Sequence, residues 1–149
     1  MIHFNNAEHG RRIAGAIPRM FNPNVDPVIS RTDEEGKLLG GGIYDGFTGT
    51  CIFIHQAGFS KRWMSRDLLW VAFDYPFNQL GCYKVCGTIP STNPELLDIN
   101  LRLGFTIEAM IGGAYPGGDM LVLSMTREAC PWLKLKPRGL LSDARMGDQ

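Results

Sequence analysis

The chain has 149 residues, and its 15 basic and 15 acidic side chains give a formal net charge of zero. This length fits one domain with its own hydrophobic core, and the balanced charge leaves no global field that would attract nucleic acid or an anionic membrane. No apolar run approaches the roughly 20 residues that span a bilayer, and the N-terminus lacks the apolar stretch of a signal peptide. We therefore expect a single cytoplasmic domain over residues 1–149, with a core from about 4 to 133 and an irregular tail over 134–149.

The first half of the chain predicts a helix followed by an antiparallel meander. Apolar residues at helical spacing predict the helix from Asn6 to Phe21. Alternating patterns then predict strands from Val28 to Arg31 and from Lys37 to Asp45, joined by a polar turn, and a third strand from Thr50 to Ala57. We expect these three strands to pair in sequence order.

The middle of the chain predicts a helix and a strand. Apolar residues three and four apart run from Ser65 to Leu80, and Gly81 ends that helix. From Cys82 to Ile89, alternate residues differ in polarity, as they do when successive side chains point to opposite faces of a sheet. Pro90 closes this strand because it lacks a backbone donor.

The last part predicts another helix and two more strands, the first of which begins at Phe105. Asn93 followed by Pro94 is typical of a helix start, and Gly104 of a helix end. We expect a glycine-rich loop over Gly112 to Gly118 and a strand from Met120 to Thr126. Helices and strands in this succession predict an α/β (α+β) domain with helices packed on a central sheet.

The cysteines predict no metal site and no disulfide. Cys51, Cys82 and Cys86 fall within predicted strands, in a chain with no export signal, where reduced and buried thiols are the usual outcome. No paired Cys-x-x-Cys knuckles occur, and alternate residues of a strand do not clasp a zinc ion. We therefore interpret the cysteines as structural.

Three runs carry a family resemblance: DYPFNQLG from Asp74 to Gly81, the segment ending in LGF from Asn93 to Phe105, and GGDMLVLSMTREACPWL from Gly117 to Leu133. Over roughly Leu38 to Leu133 the chain resembles the GNAT N-acetyltransferase superfamily. It looks most similar to the branch that acetylates ribosomal-protein N-termini, and to short phage-encoded members. The resemblance implies a central, mixed, mostly antiparallel sheet flanked by helices.

The resemblance also implies a binding site for acetyl-CoA. The strands at Cys51 to Ala57 and Cys82 to Ile89 would separate and leave a wedge for the pantetheine arm, and the loop from Gly58 to Ser65 would hold the pyrophosphate on backbone N–H groups. Lys61, Arg62 and Arg66 would add positive charge, and the alternative interpretation is that they are ordinary solvated side chains. The family's loop glycines are replaced here by Ser60 and Arg62. The implied cofactor contacts in this part of the chain are Ile54, Gln56, Phe59, Ser60, Lys61, Arg62, Trp63, Met64 and Ser65.

Two asparagines complete the implied cofactor site. Asn93 matches a family asparagine that contacts the pantetheine or positions a water, but an N-cap before Pro94 calls for the same residue type. Asn100 stands where the family often has a tyrosine that protonates the departing thiolate. Asparagine can hydrogen-bond sulfur but cannot donate an ionisable proton, so no dedicated acid is expected.

Acetyl transfer to an amine also needs a base, and the sequence offers two main candidates. His55 lies in the strand that would line the wedge and titrates near neutrality, although a lone histidine in a strand is more often a packed residue. Glu108 follows LGF, in the strand that borders the acceptor groove in the family. Asp45, Asp74 and Asp119 are weaker candidates.

The residues and the resemblance leave two functions open. The first is an acetyl-CoA-dependent N-acetyltransferase acting on a primary amine of a protein or small molecule, by direct attack in a ternary complex. The second is a weakly active or inactive GNAT-fold protein that binds a protein partner, in a host cytoplasm if the chain is phage-encoded. Either would be a monomer or homodimer without nucleic-acid or membrane partners. A ligand-binding module of another family would leave the DYPFNQLG and LGF runs unexplained.

Overall fold

The computed structural model describes residues 1–17, 19–135 and 137, in which seven strands form one sheet with three α-helices packed around it. Spatial strand order is β1-β2-β3-β4-β5-β7-β6, and every neighbouring pair is antiparallel except β4 and β5. Among the described residues, no helix is long and apolar enough to cross a membrane. The elements are β1 (Ile2–Phe4), α1 (Ala7–Ala16), β2 (Val28–Thr32), β3 (Leu38–Asp45), β4 (Cys51–Gly58), α2 (Arg66–Asp74), β5 (Lys84–Pro90), α3 (Pro94–Leu103), β6 (Thr106–Tyr115) and β7 (Gly118–Thr126).

Each face of the sheet packs against different helices. On the face called here the α1 face, Ile13 and Ala14 of α1 form a small cluster with Val28 and Ile43. On the opposite face, the α2 face, the larger core joins side chains of α2 and α3 to the sheet. The fully buried side chains of this core include Tyr44, Phe73, Phe77, Val85, Leu123 and Met125. The predicted mixed, mostly antiparallel sheet flanked by helices is confirmed.

The DYPFNQLG run forms a π-helical turn that continues α2. This turn spans Tyr75–Gln79, where the prediction had a single helix to Leu80. The buried carboxylate of Asp74 accepts hydrogen bonds from the side-chain amides of Asn78, at 2.7 Å, and Gln79, at 3.0 Å. Arg127, which follows β7, donates to the Phe77 carbonyl and to the Asn78 side chain. The run therefore ties the end of α2 to the end of the sheet.

Two predicted boundaries differ most from the structure. α1 ends at Ala16 rather than Phe21, because Ile17 precedes a proline and so disfavours the helical region, with ψ at 26°; Met20, expected near the helix end, is 90% exposed. The predicted loop from Gly112 to Gly118 is mostly strand, because β6 runs on to Tyr115 and the hairpin turns only at the next two residues. Most of the tail over 134–149 lies outside the described residues.

Candidate functional site

A wedge opens between β4 and β5. The two strands pair only at Cys51 with Lys84, Ile52 with Val85 and Phe53 with Cys86. Beyond these pairs, residues 54–58 of β4 remain paired with β3, while residues 87–90 of β5 remain paired with β7. This space is called the wedge below. It lies where the resemblance to acetyltransferases placed it.

The wedge exposes backbone groups of β4. The Phe59 N–H donates to the Leu39 carbonyl at 2.8 Å, on the β3 side. Because backbone groups of successive strand residues point to opposite edges, His55 and Ala57 also face β3, and Ile54 and Gln56 face β5. The predicted contacts at Ile54 and Gln56 therefore have their N–H and C=O groups directed into the wedge, as an extended arm such as pantetheine requires.

The loop from Gly58 to Ser65 leads from β4 into α2. Ser65 caps the helix, since its hydroxyl accepts from the Leu68 N–H at 3.1 Å. Within the loop, the hydroxyl and carbonyl of Ser60 accept from the N–H groups of Arg62, at 3.3 Å, and Trp63, at 3.2 Å. These two donors are thus partly engaged before any phosphate binds. The side chains of Lys61, Arg62 and Arg66 are exposed around the loop.

Trp63 fixes the loop against the sheet. Its indole ring covers the backbone of Gly40 and Gly58, which are partners across β3 and β4. A Cβ at Gly40 would lie 2.6 Å from the Trp63 ring, so the close approach of the ring needs glycine at this position. From β2, the guanidinium of Arg31 donates to the carbonyl of Arg62 at 2.6 Å and to that of Trp63 at 3.1 Å. The Trp63 ring and the Arg31 guanidinium therefore both fix the loop against the sheet.

Four predicted cofactor contacts line one small cavity between the sheet and α2. These are Ile54, Gln56, Trp63 and Met64. The cavity is about 20 Å³, which is room for about one water molecule. It cannot seat a pantetheine arm as it stands, so the wedge beside it is the better candidate. Phe59 lies elsewhere, because its ring packs with the α1 cluster under the guanidinium of Arg12.

His55 belongs to a polar cluster on the α1 face. Its Nε2 lies 2.9 Å from Oδ1 of Asp45, and Arg19 donates to the other carboxylate oxygen. A carboxylate only accepts hydrogen bonds, so Nε2 carries the proton and Nδ1 is left with the lone pair. The Phe53 ring stacks beside the imidazole, with centroids 6.4 Å apart. The cluster defines which nitrogen can take up a proton.

Burial and charge set the ionisation of this cluster. Burial lowers the pKa of His55, and the hydrogen bond and charge of Asp45 oppose that shift only in part. For Asp45, burial raises the pKa, but the hydrogen bonds and charges of Arg19 and His55 outweigh it, so the net pKa is lowered. At neutral pH the pair is therefore a carboxylate and a neutral imidazole, which is the form a general base requires.

Glu108 has a different setting. It is the extra residue at an irregularity between Ile107 and Ala109 in β6, and its carboxylate lies 2.5 Å from Nζ of Lys84. The hydrogen bond from Lys84 lowers the pKa of Glu108. An ion-paired carboxylate of lowered pKa is a poorer base than a neutral imidazole.

The two asparagines both contact their own helix. The Asn93 side chain accepts from the Leu96 N–H at 3.1 Å, which confirms its N-cap role. The Asn100 side chain donates to the Leu96 carbonyl at 2.9 Å. Within the described part of the chain, no hydrogen bond joins His55, Glu108 and Asn100 to one another. The three predicted catalytic residues therefore do not form one hydrogen-bonded constellation.

Sequence reasoning missed Arg19 and the pairing of Asp45 with His55. Asp45 and His55 come together because of the register of β3 and β4. In this register Asp45 lies opposite Phe53, and Ile43 lies opposite His55. The sequence showed the alternation of side chains along β3 and β4, but it did not show the register in which the two strands pair. Asp119, one of the weaker candidate bases, accepts a hydrogen bond from the Gly113 N–H at 2.9 Å. Among the residues that the structure describes, no cluster of three or more histidine, cysteine or acidic side chains could hold a metal ion.

No protein-family model and no curated protein matches this sequence. Solved structures do match the fold. A chimera of spermidine N-acetyltransferase SpeG from Vibrio cholerae and hSSAT is 13% identical, covering 86% of this chain and 96% of the other, with a TM-score of 0.68. Spermidine/spermine N-acetyltransferase SpeG from Vibrio cholerae, in complex with manganese ions, is also 13% identical with a TM-score of 0.68, over 85% of this chain and 91% of its own.

These comparisons define the fold. The chain has the GNAT fold of the SpeG acetyltransferases, as the sequence predicted. At this identity, the likeness does not extend to the substrate named for SpeG. The ribosomal-protein branch and the phage origin stay predictions.

Proposed function

We propose that this protein is an acetyl-CoA-dependent N-acetyltransferase that acetylates a primary amine by direct attack in a ternary complex. The observation that carries the proposal is the separation of β4 from β5 after three paired residues. It leaves the backbone of Ile54 and Gln56 open to an extended ligand, beside a loop with three exposed basic side chains. Acetyl-CoA would supply the activated acetyl group, with its phosphates near Lys61 and Arg62.

In this proposal, His55 removes the proton from the attacking amine. Nδ1 accepts the proton, Nε2–H stays bonded to Asp45, and the carboxylate stabilises the imidazolium that forms. Arg19 holds the carboxylate in place from its other oxygen. Glu108 and Asn100 are retained as secondary candidates, with Asn100 able to hydrogen-bond the thiolate. No side chain is assigned as a dedicated acid.

The test is thermal unfolding with excess acetyl-CoA, followed by measurement of thiol release with a panel of amines. A ligand at about 100 times its dissociation constant adds about 2.7 kcal/mol, so the midpoint should rise by several degrees. Gly87→Leu should reduce the shift, because a Cβ at this position would stand 3.6 Å from the Ile54 carbonyl oxygen at the wedge. Gly112→Leu is the matched control in an exposed strand, where the nearest atom lies 3.9 Å away.

A second function, a GNAT-fold protein that binds a partner without turnover, is favoured by the loop. Ser60 already accepts from two of the N–H groups that would cradle the pyrophosphate, and Asn100 bonds its own helix. No midpoint shift with acetyl-CoA, in the wild type as in Gly87→Leu, would reject the enzyme and support this alternative.

A further inference from the structure

Two thiols meet at the apex of the wedge. Sγ of Cys51 in β4 and Sγ of Cys86 in β5 lie 3.2 Å apart. Cys51 pairs with Lys84 and Cys86 pairs with Phe53, so the cysteines lie diagonally across the short parallel ladder, on the same face of the sheet. Their separation exceeds a disulfide bond of about 2.05 Å by only about 1 Å. Joining them requires the two sulfur atoms to approach by about that distance.

The two thiols differ in access to solvent. Cys51 is half-buried, whereas Cys86 is 6% exposed. Burial, together with the hydrogen bond to Cys51, raises the pKa of Cys86 to about 12. The charge of Glu108 raises it further, and that of Lys84 opposes the rise. A solvent oxidant therefore reaches Cys51 first, and Cys86 is the neighbour positioned to react with the oxidised sulfur.

We propose that Cys51 and Cys86 form an oxidation site that closes to a reversible intramolecular disulfide when the protein meets hydrogen peroxide. The Cys51 thiolate attacks one peroxide oxygen, the O–O bond breaks, and a sulfenic acid and hydroxide result. The Cys86 sulfur then attacks Sγ of Cys51 and displaces hydroxide, which leaves as water with the Cys86 proton. Overall, two thiols lose two electrons and two protons, and the peroxide is reduced to two waters.

The position of the bond gives it a consequence for the site. It would join the first paired residue of β4 to the last paired residue of β5, and so fix the short ladder at the apex of the wedge. Its formation does not depend on acetyl transfer, so the test below stands even if the protein is not an acetyltransferase. A dithiol reductant would restore both thiols by exchange.

Peptide mapping of the full-length chain tests the assignment. Reduced protein is freed of reductant, treated with a few equivalents of hydrogen peroxide, denatured and alkylated. All four cysteines should be alkylated in the reduced protein and two in the oxidised protein. Cleavage after lysine and arginine separates the candidates, because Cys51, Cys82 and Cys86 fall in the peptides 38–61, 67–84 and 85–102. We expect a link between 38–61 and 85–102 that disappears with dithiothreitol.

Two cysteine variants test which thiols form the link. Cys82→Ser should keep the link, although Cys82 is buried near Cys51. Cys86→Ser should form no link and should instead retain added oxygen on Cys51, because the thiol that reacts with the sulfenic acid is missing. In the wild type, a link from 38–61 to 67–84, a link between two chains, or oxygen added to Cys51 without any link would each overturn the proposal.

Discussion

The indole ring of Trp63 occupies the space that a side chain at Gly58 would need, because a Cβ added there would lie 2.2 Å from Cδ1 of the ring. The resemblance to acetyltransferases implies glycines at the positions of Ser60 and Arg62, in the loop from Gly58 to Ser65. In this chain, glycine instead serves to seat a tryptophan under that loop.

Gly58→Ala should therefore destabilise the protein. Overpacking against a rigid ring typically costs about 1–3 kcal/mol, and the loss is measured by denaturant unfolding. Gly15→Ala is the matched control in α1, where a Cβ would meet nothing within 4 Å. It should stabilise by about 0.5–1 kcal/mol, as alanine does relative to glycine in a helix.

A double-mutant cycle identifies the cause. If Trp63 is the obstacle, Gly58→Ala should cost much less in a Trp63→Ala background than in the wild type. Equal costs in the two backgrounds would mean that the β-strand backbone at position 58, rather than the indole, resists the methyl group.

Two variants of Asn93 distinguish a helix-capping role from a ligand-binding role. Asn93→Ala should cost about 1 kcal/mol because it removes the cap on the Leu96 N–H, whereas Asn93→Asp should keep the cap and cost little. The midpoint shift with acetyl-CoA provides the second readout. If both variants lose that shift, Asn93 also contacts the ligand. If neither does, the residue is only a cap.

His55→Gln should lower the turnover number by about 10²–10⁴, the usual contribution of a general base. Because burial lowers the pKa of His55, the wild-type rate should persist below pH 6.5 and fall only as the imidazole becomes protonated. Asp45 raises that pKa, so Asp45→Asn should move the acid limb to lower pH. The measurement is thiol release against pH at saturating acetyl-CoA.

The same variant, His55→Gln, can also contradict the assignment of His55 as the base. A His55→Gln protein with the wild-type rate and the wild-type acid limb would remove His55 as the base. Glu108→Gln then becomes the decisive variant, compared with Lys84→Met, which removes the ion pair but keeps the carboxylate.

Most of the fold could be predicted from the sequence because local residue patterns specify its helices and strands. The Asn93-Pro94 start and the Gly104 stop predicted α3 correctly: Asn93 caps the helix, and Gly104 is left-handed at φ 110°. The site depended on contacts that no local pattern encodes. Asp45 meets His55 through the register of β3 and β4, and Cys51 meets Cys86 through the short ladder of β4 and β5. Register is set by tertiary packing and turn geometry, so alternation alone leaves it open.

The prediction of a loop at the glycines of β6 was wrong for a related reason. Gly112 and Gly113 suggested a loop, yet they lie inside a long edge strand, where Gly113 takes φ 66° next to a register irregularity. A strand glycine can mark a bulge as readily as a turn. Only the partner strand β7 distinguishes the two.

The histidines near the N-terminus predict an acid-sensitive fold. His3 lies 2.7 Å from the hydroxyl of Thr32, His9 lies 2.7 Å from that of Ser30, and the two rings meet edge to face at 5.1 Å. Burial lowers the pKa of both. The N-terminal amine adds to the shift of His3, and His3 and Arg12 add to that of His9, while Glu8 opposes it.

A histidine whose folded pKa is lowered takes up protons more readily in the unfolded state. Its contribution to stability is therefore complete above the unfolded value of about 6.5 and is lost as the pH falls below it. The free energy of unfolding, measured by urea titration from pH 7.5 to 5, should decline in the wild type and decline less in His3→Gln/His9→Gln. His55→Gln is the control for the third histidine, whose pKa is lowered too. Parallel profiles for wild type and double variant would assign the acid sensitivity to other groups.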